Sequence, residues 1–241
     1  MKHVFLCMAC MCSLSAWAQN ANIANNPQTQ IVQALYTAFA YDSPKALLQI
    51  VDSLSQHQEP QAVYWIGYAK YYEAVYYLKT NQKAASEEAV KAGLAGLQAL
   101  AQPNSEDYAL MAILQNFSVQ FISQMMQMGV ASEKAKDYAQ KALAADPGNI
   151  RAYVAAATCD AYVPEAYGGR KQMEGYLLKA LNIENPKTQP DGPTWGGDEV
   201  YAMLAQFYLG KGNKDLARRY VMEGLAQYPG NYTLSSLQQQ L

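Results

Sequence analysis

Small residues recur on one helical face towards the end of this chain. Ala135, Ala139 and Ala142 are followed by Pro147, and Ala217, Val221 and Gly224 are followed by Pro229. Spacings of four and three place each set on one face of a helix. Two antiparallel helices approach closely only where the facing side chains are small. Proline then stops the second helix, because it cannot continue the hydrogen-bond ladder. A pattern of this kind with a period near ~34 residues predicts stacked helical hairpins rather than a bundle.

The first residues read differently. MKHVFLCMACMCSLSAWA has one lysine, an apolar run over 4–15, and Ala16-Trp17-Ala18 as a small-x-small cleavage pattern. The run is shorter than the ~20 residues of a membrane-spanning helix, so 1–18 reads as a cleaved signal peptide and the protein as exported to the periplasm or cell envelope. Cys10 after Ala9 is a weaker match to a lipoprotein signal, because Leu6 lies one position too far upstream. Cleavage after Ala18 removes Cys7, Cys10 and Cys12 and leaves Cys159. One cysteine makes neither an internal disulfide nor a Cys-x-x-Cys metal knuckle. The remaining chain carries 17 Lys+Arg against 20 Asp+Glu. That balance gives no electrostatic footprint for nucleic acid, and no second apolar run is long enough for a transmembrane segment.

Residues 19–27 are polar and Asn-rich and read as a flexible leader. From 28 to 241 apolar residues recur at helical spacing, with breaks at Pro, Gly, Asn or Asp, in one domain. The expected helices are 28–40, 43–57, 60–79, 83–101, 105–129, 131–145, 149–162, 169–183, 197–211 and 213–227, with a short capping helix in 231–241. Ser105, Glu106 and Asp107 suit a helix N-terminus.

These residues resemble the tetratricopeptide repeat (TPR) family. Tyr201, Leu204, Ala205 and Tyr208 match the first helix of a repeat, Gly212 its turn, and Ala217, Val221, Gly224 and Pro229 its second helix. Tyr153, Ala156 and Ala157 open an earlier repeat that continues at Met173, Leu177 and Ala180. A weaker unit ends with Ala85, Ala89 and Ala92, and 28–57 fits least, with Ala46, Ile50 and Ser53. The resemblance implies an all-α fold: a right-handed α-α superhelix of about five stacked antiparallel helix pairs.

Two segments exceed a repeat's short turns. PEAYGG contains Tyr167, Gly168 and Gly169, and PKTQPDGPTWGGD, 186–198, contains Trp195, Gly196 and Gly197. Long loops in compact domains are often functional, and each pairs an aromatic ring with Gly-Gly. In a packing role the rings plug neighbouring hairpins and Gly-Gly starts the next helix; in a binding role 186–198 is a lid. These loops are also similar to exported bacterial repeat proteins, among them the T components associated with TRAP transporters. That looser resemblance implies periplasmic ligand binding or delivery.

Signs of catalysis are sparse. His57 is the single histidine beyond the signal, Cys159 sits among alanines, and no Walker A, G-x-S-x-G or G-x-G-x-x-G sequence follows Ala18; no metal site or cofactor is expected. Asp160, Asp191, Asp198 and Glu199 could form a carboxylate pair as in glycoside hydrolysis, but Asp198 and Glu199 also suit a helix start. QAVYWIGYAKYYEAVYYLK, 61–79, holds six tyrosines and Trp65. They span more than one face, so some line a groove or are exposed. In the TPR family the first helix of each hairpin lines the concave face. That places Tyr64 and Tyr68, Gln120 and Gln124, Arg151 and Thr158, and Glu199 and Gln206 along a groove. Arg151 stands at its centre, facing a ligand carboxylate or paired with Glu199 or another acid, and Trp195 at its mouth. The expected function is an exported, non-catalytic scaffold that binds a protein, peptide or small ligand in this groove for an envelope or transport complex. The alternatives are a helical hydrolase using loop carboxylates and a structural envelope subunit.

Overall fold

The computed structural model describes residues 26–57, 59–163, 168–183 and 192–241. Among them are eleven α-helices, a 3-10 turn and no strand. The signal peptide 1–18 and most of the leader lie outside the described residues. Asn26 and Pro27, expected in the leader, open the first helix instead: the Asn26 side chain accepts a hydrogen bond from the Gln28 amide and Pro27 takes the first turn. There proline loses no hydrogen bond.

Five antiparallel pairs follow one another: α1 (Pro27–Tyr41) with α2 (Lys45–Leu54), α3 (Pro60–Lys79) with α4 (Lys83–Gln98), and α5 (Ser105–Ser118) with α6 (Met125–Ala145). Then come α7 (Ile150–Tyr162) with α8 (Met173–Leu181) and α9 (Gly197–Gly210) with α10 (Lys214–Gln227), closed by α11 (Tyr232–Gln238). Successive first helices pack side by side, α1 on α3, α3 on α5, α5 on α7 and α7 on α9. They form the inner wall of a right-handed α-α superhelix, and no helix among the described residues is long and apolar enough to cross a membrane.

The small-residue spacing marks the hairpin crossings. Ala135, Ala139, Ala142, Ala217 and Val221 are fully buried. In α4 the buried set is Ser86, Ala89, Val90, Gly93 and Leu97, so the expected Ala89 is buried, while the row at the crossing with α3 is Ser86, Val90, Gly93 and Leu97. That row keeps the four-three-four spacing but stands one residue on from the expected Ala85, Ala89 and Ala92, of which Ala89 is buried, Ala85 half-buried and Ala92 exposed. Gly93 decides this register, because a Cβ there would stand 3.0 Å from Lys70 Cβ and 3.4 Å from the Gly67 carbonyl of α3. The equivalent positions Ser86, Ala135, Met173 and Ala217 lie 49, 38 and 44 residues apart. The repeats are therefore longer than the expected period, and the extra length lies in the connections and in long helices such as α3 and α6.

One expected helix, 105–129, is broken early. α5 stops at Ser118, whose hydroxyl donates to the Gln115 backbone carbonyl at 2.7 Å and accepts from Gln115 Nε2 at 3.1 Å. Such local bonds compete with the helical ladder. A 3-10 turn over Val119–Phe121 follows, and extended Ile122 leads into α6 six residues before the expected start at 131. The N-cap of α5 is Asn104, which forms a reciprocal capping box with Asp107.

Hydrogen bonds between elements stitch the corners where pairs meet. Ser105 Oγ donates to the Ala142 carbonyl at 2.8 Å, and Asn149 Nδ2 donates to Ser105 Oγ at 2.8 Å. Asn149 Oδ1 in turn caps α7 by accepting from the Arg151 amide. Ala142→Leu forces side-chain volume into this crossing and is expected to cost about 1–3 kcal/mol by overpacking. Thermal unfolding reads this directly, and an unchanged melting temperature would refute the crossing.

Candidate functional site

The inner wall is built around one buried cation. Arg151, near the start of α7, is 3% exposed. Its Nε and Nη2 donate to the two carboxylate oxygens of Glu106 on α5, both at 2.6 Å, and its Nη1 donates to the Trp195 carbonyl at 3.1 Å. The planar fork of arginine matches both carboxylate oxygens at once, which a lysine ammonium cannot do. Glu106 rather than Glu199 is the acid that pairs with it. All three guanidinium nitrogens are thus engaged within the chain.

The described part of the long loop, 192–196, lies across this wall as a strap. Trp195 is 8% exposed, so it sits inside the groove rather than at its mouth. Its indole Nε1 donates to the Tyr64 hydroxyl at 2.8 Å, and its ring stacks on Tyr68 at 6.1 Å. The amides of Thr194 and Trp195 both donate to Gln28 Oε1 of α1, at 2.8 and 3.2 Å. Gly196 then takes φ +110, a backbone region side chains rarely adopt, with Arg151 Cγ 3.2 Å from where its Cβ would be. A Cβ on Gly197 would collide with the Tyr228 hydroxyl. This Gly-Gly therefore starts α9 as a packing role requires. Gly168 and Gly169 do not start a helix: α8 begins at Met173, after Arg170 at φ 61. Tyr167 and the rest of 186–198 up to Asp191 lie outside the described residues.

Tyr64, Tyr68, Arg151, Trp195 and Glu199 thus come together, but largely by filling the groove. Beyond the strap the inner wall continues along the tyrosines of α3. Tyr68 and Tyr72 hydroxyls are 3.2 Å apart, Tyr71 meets Tyr72 edge-on, and Tyr71 packs against Phe117. Tyr71 and Tyr72 are half-buried. Burial pushes the Tyr71 phenol up to about 12, with Tyr162 and Glu199 adding to the effect, and raises Tyr72 further for the same chief reason. Thr158 is half-buried with its hydroxyl 4.0 Å from Met203 sulfur, and Gln206 is exposed on α9. Gln120 and Gln124 stand apart: Gln120 donates to the Phe117 carbonyl and Gln124 precedes α6, both exposed. Both lie beyond the end of α5 at Ser118, whereas Glu106 is at its start, and α5 is about 20 Å long.

The carboxylates have structural partners. Glu199 accepts from the Gly196 amide at 2.7 Å, and Asp198 accepts from Asn231 Nδ2 at 2.7 Å. Burial raises the Glu199 carboxyl well above the usual range, and a hydrogen bond with the neighbouring Asp198 carboxyl adds to it. Asp160 accepts from the Gln172 and Met173 amides and so starts α8. Burial likewise raises the Cys159 thiol to about 12, far from a reactive thiolate. Among the described residues no three His, Cys, Asp or Glu gather as metal ligands.

A solved structure completes this description. The crystal structure of a thermophilic TPR protein from Thermus thermophilus superposes with a TM-score of 0.58 at 19% identity, over 89% of this chain and 97% of that one. The fold is that of a TPR protein. No family model matches the chain, nor does any curated protein. Within the TPR frame, the residues that sequence reasoning missed are Glu106 and Gln28. Glu106 had a sufficient explanation as a first-turn acid, and Gln28 had no signal linking it to a loop 167 positions away.

The ion pair is asymmetric, because Glu106 keeps 23% of its side-chain surface while Arg151 keeps 3%. Removing the acid strands a buried charge, whereas removing the cation leaves an acid that water can reach. Glu106→Ala is expected to cost about 3 kcal/mol and Arg151→Met clearly less, as measured by chemical denaturation. The reverse order would disprove the asymmetry.

Proposed function

We propose that this protein is an exported, non-catalytic TPR scaffold whose inner wall binds a segment of a partner protein. The observation that carries this is the division of the groove by the Trp195 strap. One stretch is filled by the chain itself, and beyond it stand half-buried Tyr71 and Tyr72 of α3 and the Thr158–Met203 contact of α7 and α9, with Glu199 close to the tyrosines. Half-buried tyrosines offer contact area together with a polar group. The clefts between α1 and α2 and beside Tyr108 and Tyr138 are open rather than enclosed. That favours a peptide or protein surface over a small ligand, which usually sits in a concave pocket. The structural partners of Asp160, Asp198 and Glu199 speak for binding over hydrolysis.

Export rests on residues 1–18, with their single lysine, apolar run and Ala-Trp-Ala pattern. Mature protein recovered from its host is expected to begin at Gln19 by intact mass. A diacylglyceryl group on Cys10 would replace this with an anchored form, and Met1 on the folded protein would refute export.

The groove is tested by parallel affinity capture from envelope extract with wild type, Tyr72→Ala and the outer-surface variant Lys91→Ala. A partner held by wild type and Lys91→Ala and lost by Tyr72→Ala is the expected result. Equal recovery by all three, with unchanged circular dichroism, would remove binding from this wall.

A further inference from the structure

At the C-terminal end α10 carries exposed Asp215, Arg218 and Arg219 and half-buried Glu223, paired as Arg218–Asp215 and Arg219–Glu223, beside exposed Met222, and α11 closes the superhelix without a charged residue. At the other end α1, PQTQIVQALYTAFAY, contains no charged residue over its 15 positions. Tyr36 on it is 63% exposed, and Leu48 on α2 is 37% exposed. Between the two helices runs an open cleft of about 380 Å³, floored by Ala34, Ala46, Ile50 and Leu54. Ala46, Ile50 and Ser53, expected at a tight hairpin crossing, line this cleft instead, because the buried contact of α2 is made by Leu47. α1 and α2 pack on each other and on α3, and Gln28 reaches the strap.

The charges that this outer face does carry lie on α2 and have a particular order. Lys45, Leu48, Gln49 and Asp52 are all exposed and form one ridge at helical spacing. Neither Lys45 nor Asp52 has an ion-pair partner among the described residues. A two-fold axis gives each patch only itself as a partner, so the patch must be self-complementary. An axis passing between Leu48 and Gln49 sets α2 antiparallel to its own copy. Lys45 then faces Asp52 of the second copy, Asp52 faces Lys45, and Leu48 faces Gln49. The cation and the anion stand at equal distances on either side of the midpoint, so both ion pairs form together and no like charges meet. The uncharged α1 beside them adds apolar area without repulsion.

We propose that the outer face of the α1–α2 hairpin is a contact between two copies of this chain, with α2 packed antiparallel on α2. A face one 15-residue helix long and two helices wide measures roughly 22 by 20 Å. That is at the small end for specific interfaces, so the dimer is expected to dissociate in the range of tens of micromolar (order of magnitude). The contact lies on the first hairpin and does not involve Tyr71 and Tyr72 of α3.

Sedimentation equilibrium on the purified full chain, from about 5 to 200 µM, tests this. Wild type is expected to pass from monomer to dimer across that range. Lys45→Glu alone and Asp52→Lys alone place like charges across the axis and are expected to raise the dissociation constant at least tenfold. The double variant Lys45→Glu/Asp52→Lys restores opposite charges in the reverse sense and is expected to return to within about threefold of wild type. Both side chains are exposed, so melting temperatures should stay unchanged and exclude misfolding. Wild type remaining monomeric at 200 µM, indifference to the single reversals, or failure of the double variant to recover would each overturn the proposal.

Discussion

The Arg151 guanidinium is the point on which the inner wall depends. A buried cation is tolerable only when its charge and its donors are met. Here Glu106 meets the charge across two repeats, and the Trp195 carbonyl meets a remaining donor from a third element. Net stabilisation from buried pairs is often small, because desolvation offsets attraction. What the arrangement supplies is geometry. The bidentate fork fixes the register of α5 against α7, and the carbonyl bond fixes where the strap crosses. Asn149, one turn away, bonds to Ser105 beside Glu106, so the same two helices are tied twice at one corner.

The strap changes how the solenoid behaves. In an ordinary repeat stack each unit touches only its neighbours, and stability is close to a sum of local terms. The bonds from Gln28 to the Thr194 and Trp195 amides join the first helix to the entry of the ninth. Tyr64 and Tyr68 of α3 hold the same indole. Opening at either end therefore disturbs the other, and the inner wall gains rigidity that nearest-neighbour packing does not provide. The strap also occupies the stretch of groove nearest Arg151, which moves the accessible surface towards Tyr71, Tyr72 and Met203.

The tyrosines of α3 show one residue type in two roles. Tyr64, Tyr68 and Tyr76 are buried, and each hydroxyl finds a partner: the Trp195 indole, Tyr72, and Asp42 at the end of α1. Tyr71, Tyr72 and Tyr77 remain half-buried. Burial raises every one of these phenols, so all stay protonated and neutral through the physiological range. The wall is thus polar in hydrogen bonding but carries no phenolate charge.

The sequence by itself determined the helical hairpins and most of their crossings. Ala135, Ala139, Ala142, Ala217 and Val221 were legible because a tight crossing admits few residue types, and helical spacing lines them up. The same logic was only partly right in α4, where Ala89 is buried but contact with α3 selects the neighbouring row of Ser86, Val90 and Gly93 over Ala85 and Ala92. The break after Ser118 was also hidden, since the apolar spacing runs through it. Arg151, Trp195, Tyr64 and Tyr68 could be named as neighbours from the repeat geometry. That they would satisfy one another, with Glu106 and Gln28 as partners, was decided by the tertiary structure alone. Helical periodicity reports which face a residue takes, whereas the pairing of a buried charge depends on which elements meet across 45 or 167 positions of chain, and local spacing does not encode that distance.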